Sequence, residues 1–395
     1  MKLSHRIMHL TEGGSDGWGV FYRARELKAQ GHAVTELTIG EHDVGTAPDI
    51  LAEMYASARD GHTGYASVPG TDLLRDTVAA RVQTRTGVPT KRHNVLITPG
   101  GQAALFAAHT AVCNPGDTGL YLDPYYATYP GTIRGVGAVA KAVQTHAQDA
   151  FQPRAEEIDK HADGAVSLLI NTPNNPTGVV YTPETLGAIA ETCKRRDLWL
   201  ISDEVYDTQV WEGTHLSPRA LPDMADRTLV IGSMSKSHAM TGSRCGWVIG
   251  PEEVIDHLIN LATHTTYGVP GFIQDAASFA LSAGQGPEEE VAAPFRRRRE
   301  IAGRILARQN VVGLVPAHGA MYLMLDIRAT GLSGEGFANT LLDTHAIAVM
   351  PGESFGKAAA GHVRVAMTID DEKFGDSLQV LCDFAGELSR SAAAS

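Results

Sequence analysis

Through its first 285 residues the chain alternates short apolar runs with longer amphipathic stretches. VLITP (95–99), GLYLD (119–123), AVSLLIN (165–171), LWLIS (198–202), TLVIG (228–232) and GWVIG (246–250) are runs of strand length with little polar interruption. A strand wet on one face alternates apolar and polar residues, whereas a continuous apolar run is buried on both faces. The intervening stretches, such as PETLGAIAETCKRRD (183–197), are helical in pattern. Strands and helices in alternation predict an α/β fold, with a mainly parallel sheet flanked by helices. After about residue 285 the pattern changes. A long polar helical stretch, APFRRRREIAGRILARQ, precedes GAMYLMLDIR (319–328) and HVRVAMTI (362–369), two strands separated by helical sequence. This part predicts a smaller α+β unit.

In sheets of this kind ligands bind beyond the carboxyl ends of the strands. Polar residues of this chain collect at those ends. LLINTPNNPTG (168–178) runs into a turn carrying Asn175, and LWLISDEVYD (198–207) ends on Asp203, with Tyr206 three residues later. TLVIG passes into SMSKSHAMTGSR (233–244), which sets Lys236 just after Ser233 and Ser235 and eight residues before Arg244. A lysine there can form a Schiff base with an aldehyde cofactor whose phosphate Ser233, Ser235 and Arg244 hold. If that cofactor is pyridoxal phosphate (PLP), Asp203 can keep its pyridine nitrogen protonated, making the ring an electron sink. Tyr206 and Asn175 can then hydrogen-bond its phenolic oxygen.

With ELTIGEHDVGTAP (36–48), GYASVPGTDLLRDTVA (64–79), ITPGGQAAL (97–105), LDPYYATY (122–129) and HVRVAM (362–367), these motifs run nearly end to end. On them the chain resembles the class I aminotransferases of the fold-type-I PLP-dependent group. The resemblance implies a large PLP-binding domain over 46–285, and a small domain built from 1–45 and 286–395 with an N-terminal arm. It implies Lys236 as the Schiff-base lysine and proton carrier, Asp203 on the pyridinium nitrogen, and Tyr206 and Asn175 on the phenolic oxygen. Tyr126 would stack on the ring. Gly100, Gly101 and Gln102 would offer the phosphate their backbone N–H groups at a helix start. Tyr65 would reach the phosphate from a neighbouring subunit, which implies a homodimer with shared active sites. Arg364 would grip the substrate's α-carboxylate through paired hydrogen bonds, with Gly40 and Asn175 beside the substrate. Trp18 would cap the substrate pocket, although packing of an amphipathic helix explains it as well.

The implied activity is transfer of an amino group from an L-amino acid to a 2-oxo acid such as pyruvate. HLSPRALPDMADRT (215–228), SKSHAMTG (235–242) and YGVPGFIQDAA (267–277) are most similar to members that use arginine, so arginine or another extended side chain is the expected donor. Aspartate, aromatic or broad specificity, and C–S bond cleavage on the same fold, remain open. A guanidinium donor would need a carboxylate in the pocket; Glu12, Asp16 and Glu41 are the candidates. No arginine near THTTYGVP (263–270) serves a dicarboxylic donor. The family's proline after Gly-Glu is His42 here, read as a turn residue.

Composition narrows the rest. A formal net charge of −12 disfavours nucleic acid. The RRRR run at 296–299 reads as a solvated helix face, and a transcription regulator would need a basic winged-helix module ahead of the family match. No apolar stretch reaches bilayer length and the start lacks a secretory pattern, so a cytoplasmic protein with no membrane partner is expected. The four cysteines are widely spaced and expected to be reduced. His5 and His9 have metal-pair spacing without the glutamate or a third ligand, so no metal is expected. GVGAVA (135–140) opens no convincing helix and is rejected as a dinucleotide turn.

Overall fold

The computed structural model describes residues 1–12 and 17–394. Among them, twelve strands form two sheets. In chain order these are β1 (Thr35–Leu37), β2 (Val95–Thr98), β3 (Thr118–Asp123), β4 (Val139–Gln144), β5 (Ala165–Asn171) and β6 (Trp199–Asp203). Then come β7 (Thr228–Ser233), β8 (Gly246–Ile249), β9 (Gly313–Leu314), β10 (Tyr322–Asp326), β11 (Ile347–Pro351) and β12 (His362–Ala366).

The larger sheet has seven strands in the order β2-β8-β7-β6-β5-β3-β4. All pairings in it are parallel except those of β8 with β2 and β7. The six apolar runs are strands of this sheet, and clusters of buried aliphatic side chains cover both its faces. β4 was not expected. Its residues are mostly exposed or half-buried, so it carries no continuous apolar signal. It also explains why GVGAVA is no phosphate-binding turn: the segment leads from the helix Tyr129–Gly135 into a strand, whereas such a turn leads from strand into helix.

The smaller sheet has the order β1-β11-β12-β10-β9, so it draws on both ends of the chain. β1 pairs in parallel with β11, and the other pairings are antiparallel. Its core includes Phe295, Phe337 and Phe374 from the helices packed on it.

Beyond β1, residues 38–43 cross from the smaller sheet to the larger one, and each contact along the way comes from a different side chain. Arg364 donates to the Thr38 carbonyl, Thr368 to that of Ile39 at 3.0 Å, and Lys236 to that of Gly40. Glu41 accepts from Thr241 at 3.1 Å. Asp43 receives both terminal nitrogens of Arg298, at 3.0 and 2.6 Å. Arg298 also donates to Asp371 at 2.9 Å and to the Met367 carbonyl at 2.9 Å, and is 3% exposed. This corrects the reading of the arginine run as a solvated face. Arg296 and Arg297 fit that reading, but Arg298 is a buried, fully paired anchor. Beside it, burial lowers the pKa of His42 to about 4 and keeps the imidazole neutral, edge-on to Phe295 at 5.3 Å.

Candidate active site

A cleft of about 290 Å³ lies at the carboxyl ends of β5, β6 and β7, where the two sheets meet. It is lined by Trp18, Gly40, Gly101, Gln102, Tyr126, Asn175, Asp203, Tyr206, Ser233, Ser235, Lys236, Arg244 and Arg364, so residues far apart in the chain converge there. Gly100 stands immediately outside. Tyr65 does not line the cleft: it is 93% exposed and edge-on to Tyr267.

The end of β5 is a hydrogen-bonded knot. Asn171 accepts from the Asn175 N–H at 2.7 Å and donates to the Asp203 carbonyl at 2.9 Å, tying the turn to β6. At the end of β6, Asp203 is 5% exposed. One of its oxygens accepts from the Tyr129 hydroxyl at 2.7 Å and the other from the Val205 N–H at 3.3 Å. Burial outweighs these donors and raises its pKa from the ordinary 3.8 to about 6. At the end of β7, Ser233 caps the turn Met234–Ser237 by accepting from the Ser235 N–H at 3.0 Å, which aims Lys236 into the cleft. Burial lowers the pKa of Lys236.

Opposite the lysine, Gly100 caps the helix Gly101–Val112 with φ +81°, a conformation that favours glycine. A Cβ on it would fall 2.3 Å from a terminal nitrogen of Arg244. The bare Cα therefore lets the guanidinium lie over the start of a helix whose first N–H groups have no intrahelical partner. The Gln102 side chain turns elsewhere, donating to Thr132 at 2.7 Å and accepting from Thr128 at 2.9 Å, so only its backbone faces the helix start.

Arg364, on β12, is 1% exposed. Its guanidinium is sandwiched between the rings of Tyr322 and Phe355, at 4.4 and 4.3 Å. It donates to Asn175 Oδ1 at 2.8 Å and to the Thr38 carbonyl, while its buried Nε has no partner. An unspent N–H on a buried cation is costly unless a ligand takes it.

Residue-by-residue reading missed Asn171, Tyr129, Phe355 and Tyr322. Tyr129 lies within the quoted LDPYYATY, but nothing local says that it faces Asp203. Of the candidate side-chain selectors, Glu12 pairs with Arg134 at 2.8 Å, Glu41 lines the cleft, and Asp16 lies outside the described residues. Trp18 separates the cleft from a larger cavity of about 1100 Å³ and forms part of both walls.

Residues 32–381 match the family described as aminotransferase class I and II. The chain belongs to that family. This aminotransferase is 38% identical over 389 residues to the arginine–pyruvate transaminase of Pseudomonas aeruginosa, covering 98% of this chain and 99% of that one. It is 32% identical to the aspartate/prephenate aminotransferase of Thermus thermophilus, over 90% of this chain and 92% of the relative. A solved structure of Thermus thermophilus aspartate aminotransferase, a double mutant, superposes with a TM-score of 0.90 at 31% identity, covering 98% of this chain and 99% of that one. The aromatic aminotransferase of Pyrococcus horikoshii does so with 0.86 at 29%, covering 92% and 99%. The enzyme is a fold-type-I, PLP-dependent aminotransferase, and the donor set fits that cofactor: a glycine cradle under Arg244, a free helix start, and a buried carboxylate.

In the cofactor-free protein Asp203 should make stability depend on pH. Its folded pKa, about 6, lies above the ordinary 3.8. The folded state therefore holds the proton more tightly, and the contribution is complete below pH 3.8 and lost as pH rises through 6. Between those limits the wild type should lose on the order of 2–3 kcal/mol of unfolding free energy relative to Asp203→Asn. Urea titrations across that range measure it; parallel curves would show that the carboxyl is not perturbed.

Proposed function

We propose that the cleft transfers the amino group of an extended L-amino acid, arginine above all, to a 2-oxo acid such as pyruvate. The buried guanidinium of Arg364, which shares the cleft with Lys236 and has no partner at its Nε, carries this reading. A guanidinium fork suits an α-carboxylate, and the aromatic sandwich fixes its plane.

When bound, PLP supplies an aldehyde carbon that condenses with amines and a ring that withdraws the electron pair left at the substrate's α-carbon. Asp203 would hold the proton on the pyridine nitrogen, and Tyr129, which donates to its carboxylate, would fix its orientation. Tyr206 and Asn175 would donate to the phenolic oxygen; the Asn175 amide N–H is free to do so because its Oδ1 already accepts from Arg364. Ser235, Arg244 and the N–H groups of Gly101 and Gln102 would receive the phosphate, with Ser233 holding the turn and Gly100 leaving room for Arg244. Tyr126 would lie against the ring. Lys236 would hold the cofactor's aldehyde carbon and, as a free base, would take the proton from the substrate's α-carbon. Its lowered pKa keeps more of the neutral amine available. Gly40 leaves room beside the substrate, and Trp18 covers its side chain.

Support for the donor is of two kinds. The relative from Pseudomonas aeruginosa is named for arginine and pyruvate. Among the described residues, the cations lining the cleft are Lys236, Arg244 and Arg364, and all three are engaged by the lysine chemistry, the phosphate and the α-carboxylate. Within one chain none remains for the distal carboxylate of aspartate. Activity of the PLP-loaded enzyme should therefore be highest with arginine or lysine in a panel that includes alanine, aspartate, methionine and phenylalanine, with pyruvate as acceptor. Lys236→Ala should show none. High kcat/KM for aspartate with no turnover of arginine would overturn the donor assignment and leave the aminotransferase intact.

We also propose that the enzyme works as a two-fold homodimer, in which the exposed Tyr65 completes the partner's phosphate site. Mixed under conditions of subunit exchange, Tyr65→Ala and Lys236→Ala should regain about a quarter of wild-type activity, because half the dimers are mixed and each carries one intact site. No gain, despite exchange, would place Tyr65 in its own subunit's site or in none.

A further inference from the structure

Tyr322 opens β10 in the smaller sheet and is 2% exposed. Its ring carries the Arg364 guanidinium on one face at 4.4 Å. Its hydroxyl lies 3.0 Å from that of Tyr206, with the two rings edge-on at 5.9 Å. The hydroxyl also fills the space beside Gly40, where a Cβ would come within 1.8 Å of it. Gly40 is thus needed on two counts: to leave room beside the substrate, and to admit this phenol beside Tyr206.

A phenol has one proton to donate and lone pairs to accept with. Tyr206 can spend its proton on Tyr322 or on the cofactor's phenolic oxygen, but not on both. The cation held over the Tyr322 ring draws electron density away from that phenol's oxygen, which makes it the poorer acceptor and so the donor of the pair. An anionic oxygen on the far side of Tyr206 pulls in the same direction. A hydroxyl that accepts one hydrogen bond also donates its own more strongly.

We propose that Tyr322 is a positioning residue: its hydroxyl donates to Tyr206, turns the Tyr206 proton toward the cofactor's phenolic oxygen, and strengthens that hydrogen bond. The proposal rests on the placement of Tyr206 beside the phenolic oxygen in the function proposed above. It links the substrate's carboxylate site to the cofactor's acidity through one side chain.

The test is a pH titration of the visible absorption band of the PLP-loaded enzyme, which reads the protonation of the lysine-bound cofactor directly. A hydrogen bond donated to the phenolic oxygen favours its anionic form, so weakening the bond raises the pH at which the band titrates. Tyr206→Phe, which removes the donor, should raise it most. Tyr322→Phe should raise it by about 0.3 pH unit, the share expected from losing one polarising neighbour. Gly40→Ala, whose methyl displaces the Tyr322 hydroxyl, should move it the same way. In a Tyr206→Phe background, Tyr322→Phe should have no further effect. An unchanged titration in Tyr322→Phe alongside a shifted one in Tyr206→Phe would overturn this proposal and leave the site assignment standing. An equal shift with and without Tyr206 would also overturn it, since Tyr322 would then act by another route. A band that ignores Tyr206→Phe would remove the site assignment itself, and this proposal with it.

Discussion

The site rests on three buried charges that are held by neutral groups. The Lys236 amine meets the Gly40 carbonyl, Asp203 meets a phenol and a backbone N–H, and the Arg364 guanidinium meets an amide oxygen, a carbonyl and two aromatic faces. Dipoles compensate a desolvated charge only in part. Some buried charges elsewhere in this protein are treated differently. Arg298 is closed against Asp43 and Asp371, and Glu288 accepts from both Arg81 and Arg85. Ionic pairing is not universal outside the cleft, since Arg75, Arg219 and Asp123 are buried against backbone groups, but Asp203 and Arg364 alone of these line an open cleft. In the proposed reaction a pyridinium would supply the opposite charge to Asp203 and an α-carboxylate that to Arg364, while the Lys236 amine would meet an aldehyde.

Such an arrangement is stable only if the surrounding fold over-determines it. Residues 38–43 do much of that work, because every contact they make reaches across from another element. The same segment presents the Gly40 carbonyl to Lys236 and makes room for Tyr322, so the small sheet's position and the lysine's environment are set together. Arg298 anchors the far end through Asp43. The arginine run thus belongs to the machinery that supports the cleft, several side chains removed from its chemistry.

Much of this was legible along the chain. Six strands announced themselves because burial on both faces leaves a continuous apolar run, and the residues at their ends faced the cleft because strand ends in a parallel sheet converge. Tyr129 and Tyr322 were not legible in the same way. Their hydroxyls matter through neighbours 74 and 116 positions away, a pairing that depends on how helix and sheet pack. Arg298 was hidden by its neighbours: in a run of four like charges, helical geometry turns one residue inward, and composition cannot say which. Gln102 was placed correctly on the helix start, but its amide goes to Thr128 and Thr132, a partnership that only the packing of the following helix decides.

A pyridinium against Asp203 and an α-carboxylate against Arg364, on either side of the Lys236 amine, should produce transfer, with the nitrogen retained by the protein between two substrates. The direct measurement is the stoichiometry of the half-reaction: the PLP-loaded enzyme is mixed with an amino donor and no acceptor, and 2-oxo acid and ammonia are quantified. Transfer predicts about one 2-oxo acid per chain, no free ammonia, and no further product until a 2-oxo acid acceptor is added. Continuous release of 2-oxo acid together with ammonia would show elimination on the same fold and contradict the account.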